Sequence, residues 1–205
     1  MDVRKGSSHP KPWLEDTKRI TVEDLEKIIQ GPNGITFLPS RSMDEVYPGV
    51  YIGEHQAAVN ILQLENLKFT HVLNVAVGKD KFHSDTHAEM YRKTNITFMG
   101  VKADDTALFN LLPHFSSTSK FIHHAISSPG GKILVHCRAG ASRSATVVIA
   151  YLMLKQHKTV SEATQLVRAK REIAPNPGFL RQLCKLQEQI DDRQEMHKKK
   201  TCCIS

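Results

Sequence analysis

The sequence predicts an α/β fold, a mostly parallel central sheet flanked by helices, and three observations lead there. Short apolar runs read as strands at Val50-Tyr51-Ile52, His71 to Val75, Ile96 to Val101 and Ile133-Leu134-Val135. Segments of helical spacing lie between them, and strands that alternate with helices pair in parallel through crossovers. The 205 residues suit one domain with a sizeable core rather than two. Boundaries are drawn at residues 1–18 for a mobile N-terminal arm, 19–190 for the domain and 191–205 for a basic C-terminal tail.

Residues 1–18 mix charges, Pro10, Pro12 and a lone Trp13 without periodicity. Thr21 with Asp24 is close to a capping box, and Leu25, Ile28 and Ile29 make an apolar stripe, so a first helix should run to Gly31-Pro32. Pro39 to Pro48 reads as loop, with Gly49 and Gly53 bracketing the first strand. A helix is expected around Gln56 to Glu65, and Gly78 to Asp85 is a charged loop enclosing Phe82. Lys102-Ala103-Asp104-Asp105-Thr106 follows the third strand at the sheet edge. Phe115 to Ile126 looks helical; its adjacent His123 and His124 do not share a face, and no other cluster supplies ligands, so no metal is predicted. Ser161 to Arg171 should be a helix with Ala163, Leu166 and Val167 inward. The turn Pro175-Asn176-Pro177-Gly178 leads into a last helix from Phe179 to about Ile190, where Cys184 reads as a small hydrophobe among Leu180, Leu183 and Leu186.

Between the run Ile133-Leu134-Val135 and the buried-helix pattern Ala145 to Leu154 lies His136-Cys137-Arg138-Ala139-Gly140-Ala141-Ser142-Arg143-Ser144, a strand-to-helix turn. A small-residue loop that opens a helix aims its N–H groups into one concavity, where the helix dipole also favours negative charge. Such a loop suits an anion. Cys137 at its start and Arg143 at its end would face the same bound group, and a guanidinium fork matches phosphate oxygens two at a time. The surroundings should lower the Cys137 pKa, since thiols at helix N-termini and beside cations show values of roughly 3.5–7.5. The residues therefore predict a thiolate beneath a bound phosphate, the alternative being an inert buried Cys. Ester cleavage also needs a proton for the departing oxygen, which a positioned carboxylic acid supplies for ~10²–10⁴-fold. Asp104 and Asp105 compete for that role, and Asp105 reads alternatively as the cap of a helix beginning near Ala107.

His-Cys, five residues, then Arg-Ser resembles the signature of the cysteine-dependent protein tyrosine phosphatase superfamily, and Ser144 places it in the dual-specificity branch. From about Ile20 to about Leu186 the chain is similar to the small atypical dual-specificity phosphatases of the VHR type, including the runs Thr70 to Asn74, Lys102 to Asn110 and Ala150 to Met153. The resemblance implies the dual-specificity phosphatase fold and hydrolysis of phosphotyrosine and phosphoserine or phosphothreonine in proteins through a phosphocysteine intermediate. It implies Cys137 as nucleophile, Asp105 as acid and then base, and Arg143 with the loop amides of Arg138, Ala139, Gly140, Ala141, Ser142 and Arg143 as the phosphate cradle. Ser144 would donate a hydrogen bond to the sulfur and His136 would buttress the loop; helix packing and a satisfied core histidine are the plain alternatives. The resemblance also makes Phe82 a wall of the substrate cleft and Arg171 the lining of a second basic pocket, against an ordinary loop Phe and a solvated helix-end Arg. The first helix would help recognise substrate, or merely pack on the body. No cofactor is implied, and the partners are phosphorylated proteins, kinases of signalling pathways among them.

The net charge of +7 and the pI near 9.3 could point to nucleic acid, an anionic membrane or acidic substrates. One Trp and no alternation of basic and aromatic residues argue against nucleic acid. Four cysteines without paired spacing and no N-terminal apolar signal segment or long apolar run predict a cytoplasmic protein, with the nucleus also open to it. The ending Cys202-Cys203-Ile204-Ser205 fits the prenylation pattern, with Ser favouring farnesyl on Cys202. Lys198, Lys199 and Lys200 would add electrostatic attraction to an anionic membrane surface, making the protein peripheral there. A frayed basic terminus is the alternative. Two rival functions stay open: a catalytically silent phosphoprotein-binding adaptor, and a phosphatase for phosphoinositides or RNA ends. The sequence sets no oligomeric state.

Overall fold

The computed structural model describes residues 19–31 and 33–202, with side chains to residue 197. Five strands, β1 (Met43–Tyr47), β2 (Val50–Gly53), β3 (His71–Asn74), β4 (Thr97–Gly100) and β5 (Ile133–His136), form one sheet in the order β1-β2-β5-β3-β4. All neighbours pair in parallel except β1, which runs antiparallel to β2 at the edge. The expected α/β architecture is therefore present. β5 lies between β2 and β3, so the chain leaves the sheet from its middle strand, at the carboxyl edge where parallel sheets place their ligands.

Along β3 and β5 successive side chains enter two different cores, as a period of two requires. Leu73, Ile133 and Val135 join the larger one, which includes residues of α1 (Val22–Ile29), α5 (Phe115–Ser127), α6 (Arg143–Gln156), α7 (Val160–Arg168) and α8 (Pro177–Cys202). Val72 and Leu134 join a smaller one with residues of α2 (His55–Val59), α3 (Ile61–Asn66) and α4 (Ala88–Tyr91). Covered on both faces, β5 is apolar throughout until His136. α6 is buried on every side from Arg143 to Met153, the pattern of a central helix.

Several sequence expectations need correction. Pro39 to Pro48 is not all loop: it holds β1, where Asp44 and Val46 point inward between Met43, Glu45 and Tyr47, and the inward Asp44 masks the alternation. The helix expected over Gln56 to Glu65 is two, because Asn60 leaves helical geometry and its side chain accepts from the Gln63 amide to start α3. α7 ends at Arg168 rather than Arg171, and Leu166 is exposed while Thr164 is buried, its hydroxyl donating to the Val160 carbonyl at 2.7 Å. A hydrogen-bonded turn rather than a helix lies at residues 107–108, so Asp105 caps none; the next helical turn is a 3₁₀ segment at Leu112–His114. α8 continues past Ile190 to Cys202, so the boundary drawn at residue 190 falls inside a helix. The expected arm at 1–18 and the last three residues of the prenylation pattern lie outside the described residues.

Candidate active site

Gly140 sets the shape of the turn after β5. Its φ of +66° lies in the left-handed region, and a Cβ there would stand 2.5 Å from the Gly53 backbone and 2.7 Å from an Arg171 nitrogen. Only glycine fits. The loop carbonyls are then held from outside. The Arg138 carbonyl accepts from the His55 amide at 3.1 Å and the Ala141 carbonyl from the Ala174 amide at 2.9 Å. The Gly140 carbonyl accepts from Arg171 Nε at 2.8 Å. In a trans peptide the next N–H points opposite to the carbonyl, so the amides of Ala139, Ala141 and Ser142 turn to the other side, inward. α6 opens at Arg143, adding the positive end of its dipole. The result is a cradle for a tetrahedral anion.

Cys137 is buried at 1% exposure, and its sulfur lies 3.3 Å from Ser144 Oγ. Arg143, also buried, donates from Nη1 to the Ala103 carbonyl at 3.0 Å and from Nη2 to the Phe82 carbonyl at 2.8 Å, so one guanidinium clasps two loops. Its Nε has no hydrogen-bond partner and faces Asp105 Oδ2 at 3.5 Å. A buried, unmatched N–H is costly unless something accepts it. It is suited to an anion's oxygen. Phe82 itself is exposed on the rim, with Lys81 Nζ 5.0 Å from its ring centre.

The two aspartates that compete in the sequence face different ways. Asp105 accepts from Ser142 Oγ at 2.7 Å and from Asn176 Nδ2 at 2.9 Å, besides facing Arg143. Its carboxylate bonds the residue before α6 and faces the first residue of that helix. Asp104 lies 3.1 Å from Nε2 of His83, whose Nδ1 meets Asp80 at 2.8 Å. It belongs to the neighbouring 78–85 loop contact. α8 fixes the stretch that bears Asp105: Gln182 accepts from the Leu111 and Leu112 amides at 2.7 and 3.1 Å and donates to the Phe109 carbonyl at 2.8 Å.

His136 is wholly buried behind Cys137, and burial pushes its pKa down to about 3, so the ring is neutral. Nδ1 lies 3.2 Å from the Cys137 carbonyl and must donate, which leaves Nε2 to accept from Thr86 Oγ1 at 3.0 Å. Thr86 in turn accepts from Asn74 Nδ2 at 2.8 Å. This relay from β3 fixes both the tautomer and the start of the loop.

Arg171 is not a solvated helix-end residue: its side chain is 0% exposed and paired with Asp44 at 2.6 Å, and it lies among Arg41, Asp44, Arg168 and Lys170 in the lining of a surface pocket. Burial pulls its pKa down and the Asp44 carboxylate works against that. Asp44, Asn74, Thr86, Asn176 and Gln182 complete the surroundings without having been singled out in the sequence. Of these Asn74 stands in a strand run and Asn176 in a turn, where its Oδ1 accepts from the Phe179 amide to start α8. Among the described residues no group of three or more His, Cys, Asp or Glu side chains gathers as metal ligands. Cys202 is the last residue of α8.

Residues 50–189 match the family described as dual specificity phosphatase, catalytic domain. The chain is 38% identical over 183 residues to human dual specificity protein phosphatase 13B, covering 89% of this chain and 90% of that one. It is 47% identical over 149 residues to dual specificity protein phosphatase 26 of the rat, covering 72% and 68%. Among solved structures, human DUSP28 superposes with a TM-score of 0.64 at 29% identity, over 74% of this chain and 96% of that one. Human tyrosine phosphatase-like serine/threonine/tyrosine-interacting protein does so at 0.62 and 27%, over 73% and 99%.

Proposed function

The chain belongs to the dual-specificity protein phosphatase family, and from that premise we propose that Cys137, Arg143 and Asp105 carry its hydrolysis of phosphotyrosine and phosphoserine or phosphothreonine in proteins. The Cys137 thiolate attacks phosphorus; the S–P bond forms as the P–O bond breaks, and the Asp105 carboxyl gives its proton to the departing oxygen. Dividing one hard displacement in two is what nucleophilic catalysis achieves. Water then attacks the phosphocysteine, the S–P electron pair returns to sulfur, and Asp105 takes the water's proton. Ser144 donates a hydrogen bond to the returning sulfur. Arg143 and the inward amides hold the equatorial oxygens, whose charge spreads in a loose transition state. Phe82 forms one wall of the entrance.

The observation that carries this reading is the carboxylate of Asp105, which accepts from Ser142 of the loop that begins at Cys137 and faces Arg143 Nε. Turnover of a small aryl phosphate tests it. Cys137→Ser should lower kcat on the order of 10⁴-fold or more. A parent chain that binds phosphopeptide but releases no product would instead be the adaptor. Inositol phosphates and RNA ends are less suited, since the loop offers Arg138 and Ala139 rather than lysines. Cys137→Ser as a trap in cell extract would identify the phosphoproteins, kinases of signalling pathways included.

For the C-terminus we propose farnesyl on Cys202, with Lys198 to Lys200 as the second signal at an anionic leaflet. The unmodified chain would occupy cytoplasm and nucleus. Mass spectrometry of protein from eukaryotic cells checks this, and an intact, unmodified C-terminus rejects it.

A further inference from the structure

A guanidinium removed from water persists only where its charge and its donors are matched. Arg171 meets most of that demand behind the phosphate loop, with Nη2 left without a partner. Nε donates to the Gly140 carbonyl at 2.8 Å, and Nη1 donates to Asp44 Oδ2 at 2.6 Å and to the Arg41 carbonyl at 3.0 Å. Asp44 comes from the edge strand β1 and is itself buried, at 8% exposure. Gly140 is thus pressed between Gly53 at the end of β2 and the Nη2 atom of the guanidinium. Glycine adopts either sign of φ with ease, so the residue that lets the loop turn also leaves its peptide plane free to rotate. Something outside the loop has to stop that rotation.

We propose that Asp44 and Arg171 are a positioning pair: Asp44 orients the guanidinium, and the guanidinium holds the Gly140 carbonyl outward so that the Ala141 amide faces the substrate phosphate. The inference rests on the phosphatase reading above. Arg171 works through the loop, with Nε on the Gly140 carbonyl and Nη1 on Asp44. Arg41 also meets Asp44, at 2.6 Å, but its side chain is 73% exposed and adds only an outer contact.

The test compares Arg171→Lys, Asp44→Asn, the double variant and Arg41→Ala in the full chain. Readouts are kcat and KM for a singly phosphorylated aryl ester, tungstate affinity by calorimetry, and turnover of mono- and bisphosphorylated peptides. Arg171→Lys keeps the charge but loses the fork. Each of the two single variants is expected to lower kcat/KM for the aryl ester and tungstate affinity on the order of tenfold or more. The double variant should be no worse than the weaker single, since the pair acts as one unit. Arg41→Ala should match the parent. Unchanged aryl-ester turnover and tungstate affinity would overturn the proposal, and selective loss of the bisphosphorylated peptide would make Arg171 a phosphate ligand instead. If Arg171→Lys fails to fold, Asp44→Asn, of nearly equal volume, decides alone. Should the parent bind tungstate without turning over ester, the phosphatase reading fails while the affinity series still judges the pair.

Discussion

The loop from Cys137 to Ser142 is buried apart from Arg138 and Ala139, and backbone bonds together with the buried Arg171 side chain fasten it to the segments around it. Across Arg143, the stretch from Asp104 to Asn110 is exposed except for half-buried Phe109, and side chains of α8 fasten it. An anion cradle works by fixed dipoles, which lose their value if they must reorganise during the reaction. A proton donor has to serve oxygens of differing substrates and must exchange its proton with water, so partial exposure suits it. The first loop is held by the fold, the second by clips.

Asp105→Asn probes the clipped loop most sharply: kcat should fall about 10²–10⁴-fold, whereas Asp104→Asn should leave it within about twofold. Steady-state kinetics on an aryl phosphate measures both, and the reverse pattern would exchange their roles. Gly140→Ala probes the held loop. Strained backbone alone should cost about 1–3 kcal/mol, before the collision with Gly53, and Tm should drop by several degrees with loss of turnover. A clip removed, Gln182→Ala, should matter less: about 0.5–1.5 kcal/mol per lost hydrogen bond, with a lower kcat and little change in tungstate affinity.

The relay behind the held loop adds a pH dependence. His136 has a folded pKa near 3, below its ordinary 6.5. Between those values the unfolded chain binds one proton more than the folded one, so stability is full above about pH 6.5 and is lost as pH falls. The slope from this residue is about 1.4 kcal/mol per pH unit. Urea unfolding at about pH 5.5 and pH 4.5, compared with His136→Asn, should show nearly that much less slope in the variant. An unchanged slope would mean that the ring is charged in the folded state.

Nearly all of the held loop was legible in the sequence, because it is continuous: Cys137, Gly140, Arg143 and Ser144 lie within one turn, and the strand and helix on either side are apolar. The capping box at Thr21 and Asp24 was legible for the same reason, being local. What surrounds the loop was not. Asp44, Thr86, Asn176 and Gln182 reach the site from four separate segments, and polar residues far apart in the chain carry no periodicity. The basic character of Arg171 is legible, but its pairing with Asp44 on β1 is not, because that partner lies far away in the chain. Choosing between Asp104 and Asp105 from the residues was equally out of reach, as adjacent side chains diverge by geometry that spacing does not encode.

The enclosure of α6 means that the reactive turn has no foundation of its own. The helix that begins with Arg143 bears on α5, α7, α8, β2 and β5 along its length. A void opened beside Val148 or Tyr151, well away from the sulfur, would loosen the same column on which the anion's donors stand. The packing of the body and the placement of Arg143 are therefore tied to one another in this chain.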